Sequence, residues 1–369
     1  MIPLSRTAAV VGSALALAVA VGCGSSGAAV KSQAKQAVSP CGTVTAPTWS
    51  PDGTQIAWFG YRWPRPPHGH AVGAYNILRA FCVSNADGTQ LHQVPHTVCS
   101  ERCSNNLGDP PGQLDWVEPN LLVYGSDDGA YAISVGRKPK LLAREGPDPY
   151  AIDAQGDRIA AGQTASCNSC PGPVKIYSVP SGAVVGVIGG SKLTNSEPSL
   201  SPDGSKVVLM RRAATDSGVP GIWTAAADGG HLHRLEQLGI DPLWSPAGNR
   251  IAYLAPTGTR FALRLVAPQG GPSRTLLRND NTSVFGWSPD GRWIAYPDSK
   301  GRLAIVNVAT GKVRRLLKLQ LPYSVSSAVW SPNSQQLLVL WRPPAHSSCP
   351  NGLWVVPING GKPHLVHGC

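Results

Sequence analysis

Short apolar runs recur between Gly- and Pro-rich turns along the whole chain beyond residue 23, and no 3.6-residue apolar period is sustained there. That pattern predicts many short β-strands and no long helix. The first 22 residues differ. Arg6 precedes an uncharged stretch from Thr7 to Val21, the length of a signal-peptide core and short for a membrane span.

The strand pattern repeats. Trp49-Ser50-Pro51-Asp52-Gly53, Leu200-Ser201-Pro202-Asp203-Gly204, Trp244-Ser245-Pro246-Ala247-Gly248, Trp287-Ser288-Pro289-Asp290-Gly291 and Trp330-Ser331-Pro332-Asn333-Ser334 are copies of one motif. Trp116-Val117-Glu118-Pro119-Asn120 and Ile152-Asp153-Ala154-Gln155-Gly156 are weaker copies, each followed by a hydrophobic strand in the register of Ile56-Ala57-Trp58. Successive starts lie 67, 36, 48, 44, 43 and 43 residues apart. Pro presets φ for a tight turn, Asp bonds the backbone two residues on, and Gly accepts the positive φ that reverses the chain. Second turns stand at Asp87-Gly88, Asp228-Gly229-Gly230, Gln269-Gly270-Gly271, Thr310-Gly311 and Asn359-Gly360-Gly361, each joining a third strand to a fourth. In the sixth unit the strands read as Ser283 to Trp287, Arg292 to Tyr296, Leu303 to Val308 and Lys312 to Leu317. A four-stranded sheet cannot bury both faces alone, so such units stack around an axis. The expected fold is an all-β propeller of seven four-stranded antiparallel blades, with six as the alternative.

Trp-Ser-Pro-Asp-Gly followed by an aliphatic strand resembles the propeller repeat of TolB-like proteins, and the resemblance covers nearly all of residues 43 to 369. It implies the fold. Function is left open, because that family includes envelope binding proteins, interaction scaffolds and the propeller domains of some serine peptidases. Unit one begins with its own first strand and unit seven ends with its own fourth, so no strand exchange is expected to seal the ring.

Ala20-Val21-Gly22-Cys23 resembles a bacterial lipobox, with Ala20 where Leu is usual, and Gly24-Ser25-Ser26-Gly27 has the composition of a flexible tether. The expected organisation is a lipoprotein signal peptide over 1–22, a lipidated Cys23 and tether over 23–40, and the propeller over 41–369. Setting Cys23 aside leaves eight of the nine cysteines, an even number suited to disulfides in an oxidising compartment. Cys41 with Cys82 and Cys349 with Cys369 are the expected pairs, while Cys99, Cys103, Cys167 and Cys170 are expected to form local or cross-loop bonds, with zinc binding and a redox motif as the alternatives. The formal charge of +11 favours anionic neighbours. Export makes nucleic acid a poor partner.

In a four-stranded meander the turns between strands two and three, and between blades, lie at one end. The long insertions fall almost entirely there: Tyr61 to Tyr75, His96 to Gly112, Thr164 to Gly172, Ala213 to Val219 and Pro343 to Asn351. Loops on a rigid scaffold usually carry function, so this decorated face is the expected binding face. Its candidate residues are Tyr61, Arg62, Trp63, Arg65, His68 and His70, with Arg211, Arg212, Trp341, Arg342 and His346 near the ends of second strands. Tyr, Trp and Arg are the types enriched at interface hot spots.

These residues suit an envelope protein or an acidic cell-wall polymer, engaged by a monomer held outside the cytoplasm on a lipid anchor. Neither a cofactor nor a metal is expected, and no catalytic residue is assigned. The alternative is a lactonase- or lyase-like propeller enzyme with a site on the central axis. Asp115, Asp153, Glu197 and Asp241, near the inner strands of four consecutive blades, are its best hint, with His68 or His96 as a lyase histidine. No Gly-x-Ser-x-Gly nucleophile elbow is present.

Overall fold

The structure, a computed structural model, describes residues 41–368 apart from 63–77, 95–113, 127–128, 135–139, 145–149, 164–170, 214–218, 317–323, 343–350 and the single positions 120, 180, 191 and 282. Among the described residues 28 strands build an all-β propeller. They form six hydrogen-bonded sheets, five of four strands and one of eight. The eight-stranded sheet contains the third and fourth sequence units, 150–188 and 193–236, joined by parallel contacts of Gln163 with Ser196 and of Gly172 with Thr194. All seven four-strand units are therefore in place. The correction to the expectation is that units three and four share one sheet.

The core lies between blades. Seven clusters of buried apolar residues occupy the seams, each drawing on two neighbours, and the one made from Trp49, Ile56 and Trp58 with Val329, Leu338 and Val355 joins blade one to blade seven. The apolar alternation of each strand thus feeds two different seams, one on each face of its blade. In blade six the observed strands are Gly286–Trp287, Trp293–Pro297, Leu303–Asn307 and Val313–Arg315, close to those read from the sequence except that the first and the fourth are shorter.

The motif turn is held by side chains as well as by Pro and Gly. Ser50 Oγ donates to Asp52 Oδ1 at 2.6 Å and accepts the Gln55 N–H at 2.9 Å, while the same carboxylate oxygen accepts the Thr54 N–H at 3.0 Å. Ser201 with Asp203, Ser288 with Asp290 and Ser331 with Asn333 repeat the arrangement. In the seventh blade Ser334 stands where the other strong copies have Gly, at φ 61°, and its Oγ accepts the Asp290 N–H of blade six at 3.0 Å.

Blade three departs from the repeat. Gln155 pairs with Arg158, leaving a tight hairpin at Gly156-Asp157, so Ala154, opposite Ile159, takes the place that Trp49 holds opposite Ile56. The weak motif copy there is displaced by two residues from the alignment that the sequence suggests.

No strand exchange seals the ring. Instead Trp49 Nε1 donates to Val329 O at 3.2 Å, Asn351 Nδ2 to Val44 O at 3.4 Å, and the Nε2 atoms of His364 and His367 lie 3.2 Å from Ala86 O and Gly42 O. The Cys41–Cys82 disulfide, fully buried, sits in the same seam. Its path depends on Gly60, because a Cβ there would stand 2.0 Å from Cys41 O. The remaining six cysteines of the expected framework, and Cys23, fall outside the described residues.

Candidate functional site

On the decorated face Tyr61 and Arg62 close the strand Gln55–Arg62, and Arg342 closes Gln336–Arg342. Trp63, Arg65, His68, His70, His96 and His346 fall outside the described residues. Trp341 packs inward: it is partly buried against the seam between blades six and seven and meets Trp354 edge-on at 5.5 Å, which makes it a packing residue.

Arg211 and Arg212 lie in the strand Lys206–Ala213, near its decorated end. Arg211 pairs in register with Asn195 and Gly221, and its guanidinium carbon stands 5.1 Å from the ring centroid of Trp223. Arg234, opposite Trp223 on the outermost strand, brings a second guanidinium to 5.9 Å from the same ring. The indole π-face attracts both cations. Among the described residues neither guanidinium is paired with a carboxylate. Burial lowers the Arg211 pKa, the direction expected of a cation partly withdrawn from water.

Asn195 supports this end of the blade. It is fully buried, and its Nδ2 donates to Gly172 O at 2.7 Å and Leu193 O at 3.1 Å, tying the close of the blade-three loop to the inner strand of blade four. Arg211 was visible in the sequence as a strand-end cation. Arg234 and Trp223 were missed, because only strand register brings positions 211, 223 and 234 onto one sheet face. The signal available in advance was that all three belong to one repeat.

Blade six closes its corresponding turn tightly. Asp298, almost wholly buried, accepts from Arg302 Nη2 at 2.6 Å and Arg315 Nε at 3.2 Å, and from the N–H groups of Lys300 and Arg302. Burial alone pushes its pKa up, but these donors outweigh it and bring it down to about 2. Arg302 and Arg315 of blade six are thus used in its own turn.

Of the inner-strand acids, Asp115 and Asp153 are buried. Asp153 turns to the neighbouring blade and accepts the Leu200 N–H at 2.5 Å. Glu197 and Asp241, like Ala46, take left-handed backbone angles immediately before a proline, at register shifts in the inner strands. Among the described residues no three His, Cys, Asp or Glu side chains stand close enough to hold a metal ion.

The opposite face carries one described cleft, of about 450 Å³, between the motif turns of blades four and five. Lys206, Arg250, Asn249 and Gln269 line it, with Trp244 and Pro202 among its apolar walls.

No family model matches the chain, and no curated protein matches it. Solved structures similar to it include an oligogalacturonate lyase in complex with manganese, at TM-score 0.59 and 13% identity over 84% of this chain and 87% of that one. An oligogalacturonate lyase from Vibrio parahaemolyticus aligns at TM-score 0.58 and 10% identity, covering 86% and 89%. TolB from Acinetobacter baumannii gives TM-score 0.47 and 15% identity, covering 83% and 78%. The likeness is one of fold.

Proposed function

We propose that this chain is a binding propeller held outside the cytoplasm by a lipid on Cys23, and that its decorated face engages an acidic cell-wall polymer or the acidic surface of an envelope protein. The observation that carries this reading is the pair of guanidinium groups around Trp223. Two cations near one aromatic ring, without a carboxylate among the described residues, lack a counter-charge that an acidic partner would supply. The formal charge of +11 adds long-range attraction of the same sign. The Cys41–Cys82 disulfide favours an oxidising compartment.

The alternative, a propeller enzyme of the kind named in the two lyase structures, would draw on the inner-strand acids. Asp153 is committed to Leu200, whereas the Arg211 and Arg234 guanidinium groups remain available, so binding is the better-supported reading.

The test is co-sedimentation of the full chain, solubilised in detergent, with purified cell wall before and after its acidic polymers are removed. Arg211→Ala with Arg234→Ala should weaken capture at least ten-fold, since each charge-assisted contact is worth roughly 1.5–3 kcal/mol. Arg62→Ala, Trp63→Ala and Arg65→Ala together should abolish it without moving the melting temperature, and added salt should weaken it. Capture that survives both sets of substitutions would place the interaction elsewhere.

A further inference from the structure

The cleft between blades four and five lies at the one strong motif copy that has neither Asp nor Asn at its fourth position. Asp52, Asp203, Asp290 and Asn333 each accept the motif serine's hydroxyl in their own turns. Blade five has Ala247 at that position. Its Ser245 Oγ instead lies 3.2 Å from Asn249 Oδ1, two residues further on. The turn stays closed, but the space and the negative charge that an aspartate would bring are missing.

The charge consequence is local. In blade six the carboxylate of Asp290 accepts from Arg292 Nε at 2.7 Å, so that turn neutralises its own cation. In the cleft, Arg250 bonds only the neutral Asn249 O at 2.8 Å, and no described carboxylate pairs with Arg250 or Lys206. Asp203, the acid on the rim, is engaged by the Ser201 hydroxyl and by the N–H and hydroxyl of Ser205. Those bonds hold its carboxyl below the usual carboxylate range, so the lining sets two cations, Lys206 and Arg250, against the one anion of Asp203.

The seam beneath is also different. Trp49 and Trp330 donate their indole N–H groups across their seams to Val329 O and Gly286 O. Trp244, their counterpart in blade five, is 7% exposed and has no acceptor for its buried Nε1, as is true of Trp287 in blade six, but of the two only Trp244 lines the cleft. Trp244 and Pro202 provide apolar surface for the face of a ring, while Asn249 and Gln269 provide amides for hydroxyl groups. A volume of about 450 Å³ falls within the range of small-molecule sites.

We propose that this cleft binds a sugar unit bearing one oxyanion, either carboxylate or phosphate. Arg250 and Lys206 receive the charged group, and the ring lies against Trp244. The site is at the opposite end of blade four from the Arg211 cluster and does not depend on the function proposed for that face.

The experiment titrates the full chain in detergent with D-glucuronate, D-glucose 6-phosphate and D-glucose, followed by calorimetry and tryptophan emission. At least one anionic sugar should bind roughly ten-fold tighter than glucose, and Lys206→Ala with Arg250→Ala should erase that preference at an unchanged melting temperature. Tighter glucuronate binding identifies a carboxylate site and tighter glucose 6-phosphate binding a phosphate site. Trp244→Phe should remove the ligand-dependent emission change. The combined Arg62, Trp63 and Arg65 substitution should leave the preference intact, separating this cleft from the decorated face. Equal binding of all three sugars, binding of none, or a preference that survives in the Lys206 and Arg250 variant overturns the proposal.

Discussion

The seam that closes the ring and the seam between blades four and five are built from the same repeat but to different ends. At the closing seam Trp49, Asn351, His364 and His367 each reach a backbone carbonyl across the gap, and the disulfide lies buried beside them. At the other seam Trp244 has no acceptor for its indole N–H and a cleft opens above it. The first joins parts of the chain some 300 residues apart in sequence, so ordering it carries the larger entropic cost and polar stitching offsets part of that. The second joins consecutive units and stays in register without such help, which leaves room for a binding function.

The largest effect that separates the two seams is expected at the disulfide. Cys41 and Cys82 are 41 residues apart, and a cross-link of that span is worth about 4 kcal/mol in the chain-entropy account. Cys41→Ala with Cys82→Ala should therefore lower the urea midpoint strongly. Amide exchange should rise first at the closing seam, around Gly42 and Val44, before it rises between blades four and five. Uniform loss of protection around the ring would show that the seams are not independently stable.

A smaller effect isolates the indole hydrogen bond. Trp49→Phe and Trp244→Phe remove similar bulk from buried positions, but only the first also removes a made hydrogen bond, leaving Val329 O without that donor. Trp49→Phe should be the more destabilising by about 1 kcal/mol, measured as the difference in unfolding free energy between the two variants. Equal losses would mean that the cross-seam bond contributes nothing net.

What could be read from the chain follows the same division. Five strong copies of Trp/Leu-Ser-Pro-x-Gly/Ser dictated blades one, four, five, six and seven, because each residue has a local task in its own turn. Blade three was misaligned because its turn lacks the Ser-Pro pair and tightens to Gly156-Asp157. The left-handed residues Ala46, Glu197 and Asp241 went unread, although each precedes a proline three positions before its motif; the intervening register shift exists only once the inner strand is paired. The candidate site was legible only in part. Arg211 stood out as a cation at a strand end, while its partners Trp223 and Arg234 come from other strands, and the cleft lies at an absence, Ala247 in the place of Asp, that gains meaning when neighbouring turns are compared in space.

The smallest effect expected is a pH dependence confined to the closing seam. His367 is more than half-buried, its ring centroid is 5.3 Å from that of Trp58, and its Nε2 lies 3.2 Å from Gly42 O. Burial lowers its pKa below the ordinary value of 6.5, and the bond to Gly42 only partly opposes this. The folded protein then binds fewer protons at this site than the unfolded chain. Its contribution to stability is complete above about pH 6.5 and is lost as pH falls through the depressed folded value. Melting temperature should accordingly decline between pH 7 and pH 5, and His367→Gln, which keeps a donor for Gly42 O but does not titrate, should flatten that part of the profile. If His367→Gln retains the full decline, the acid sensitivity belongs to other groups and the histidine clasp at the seam is indifferent to its own protonation.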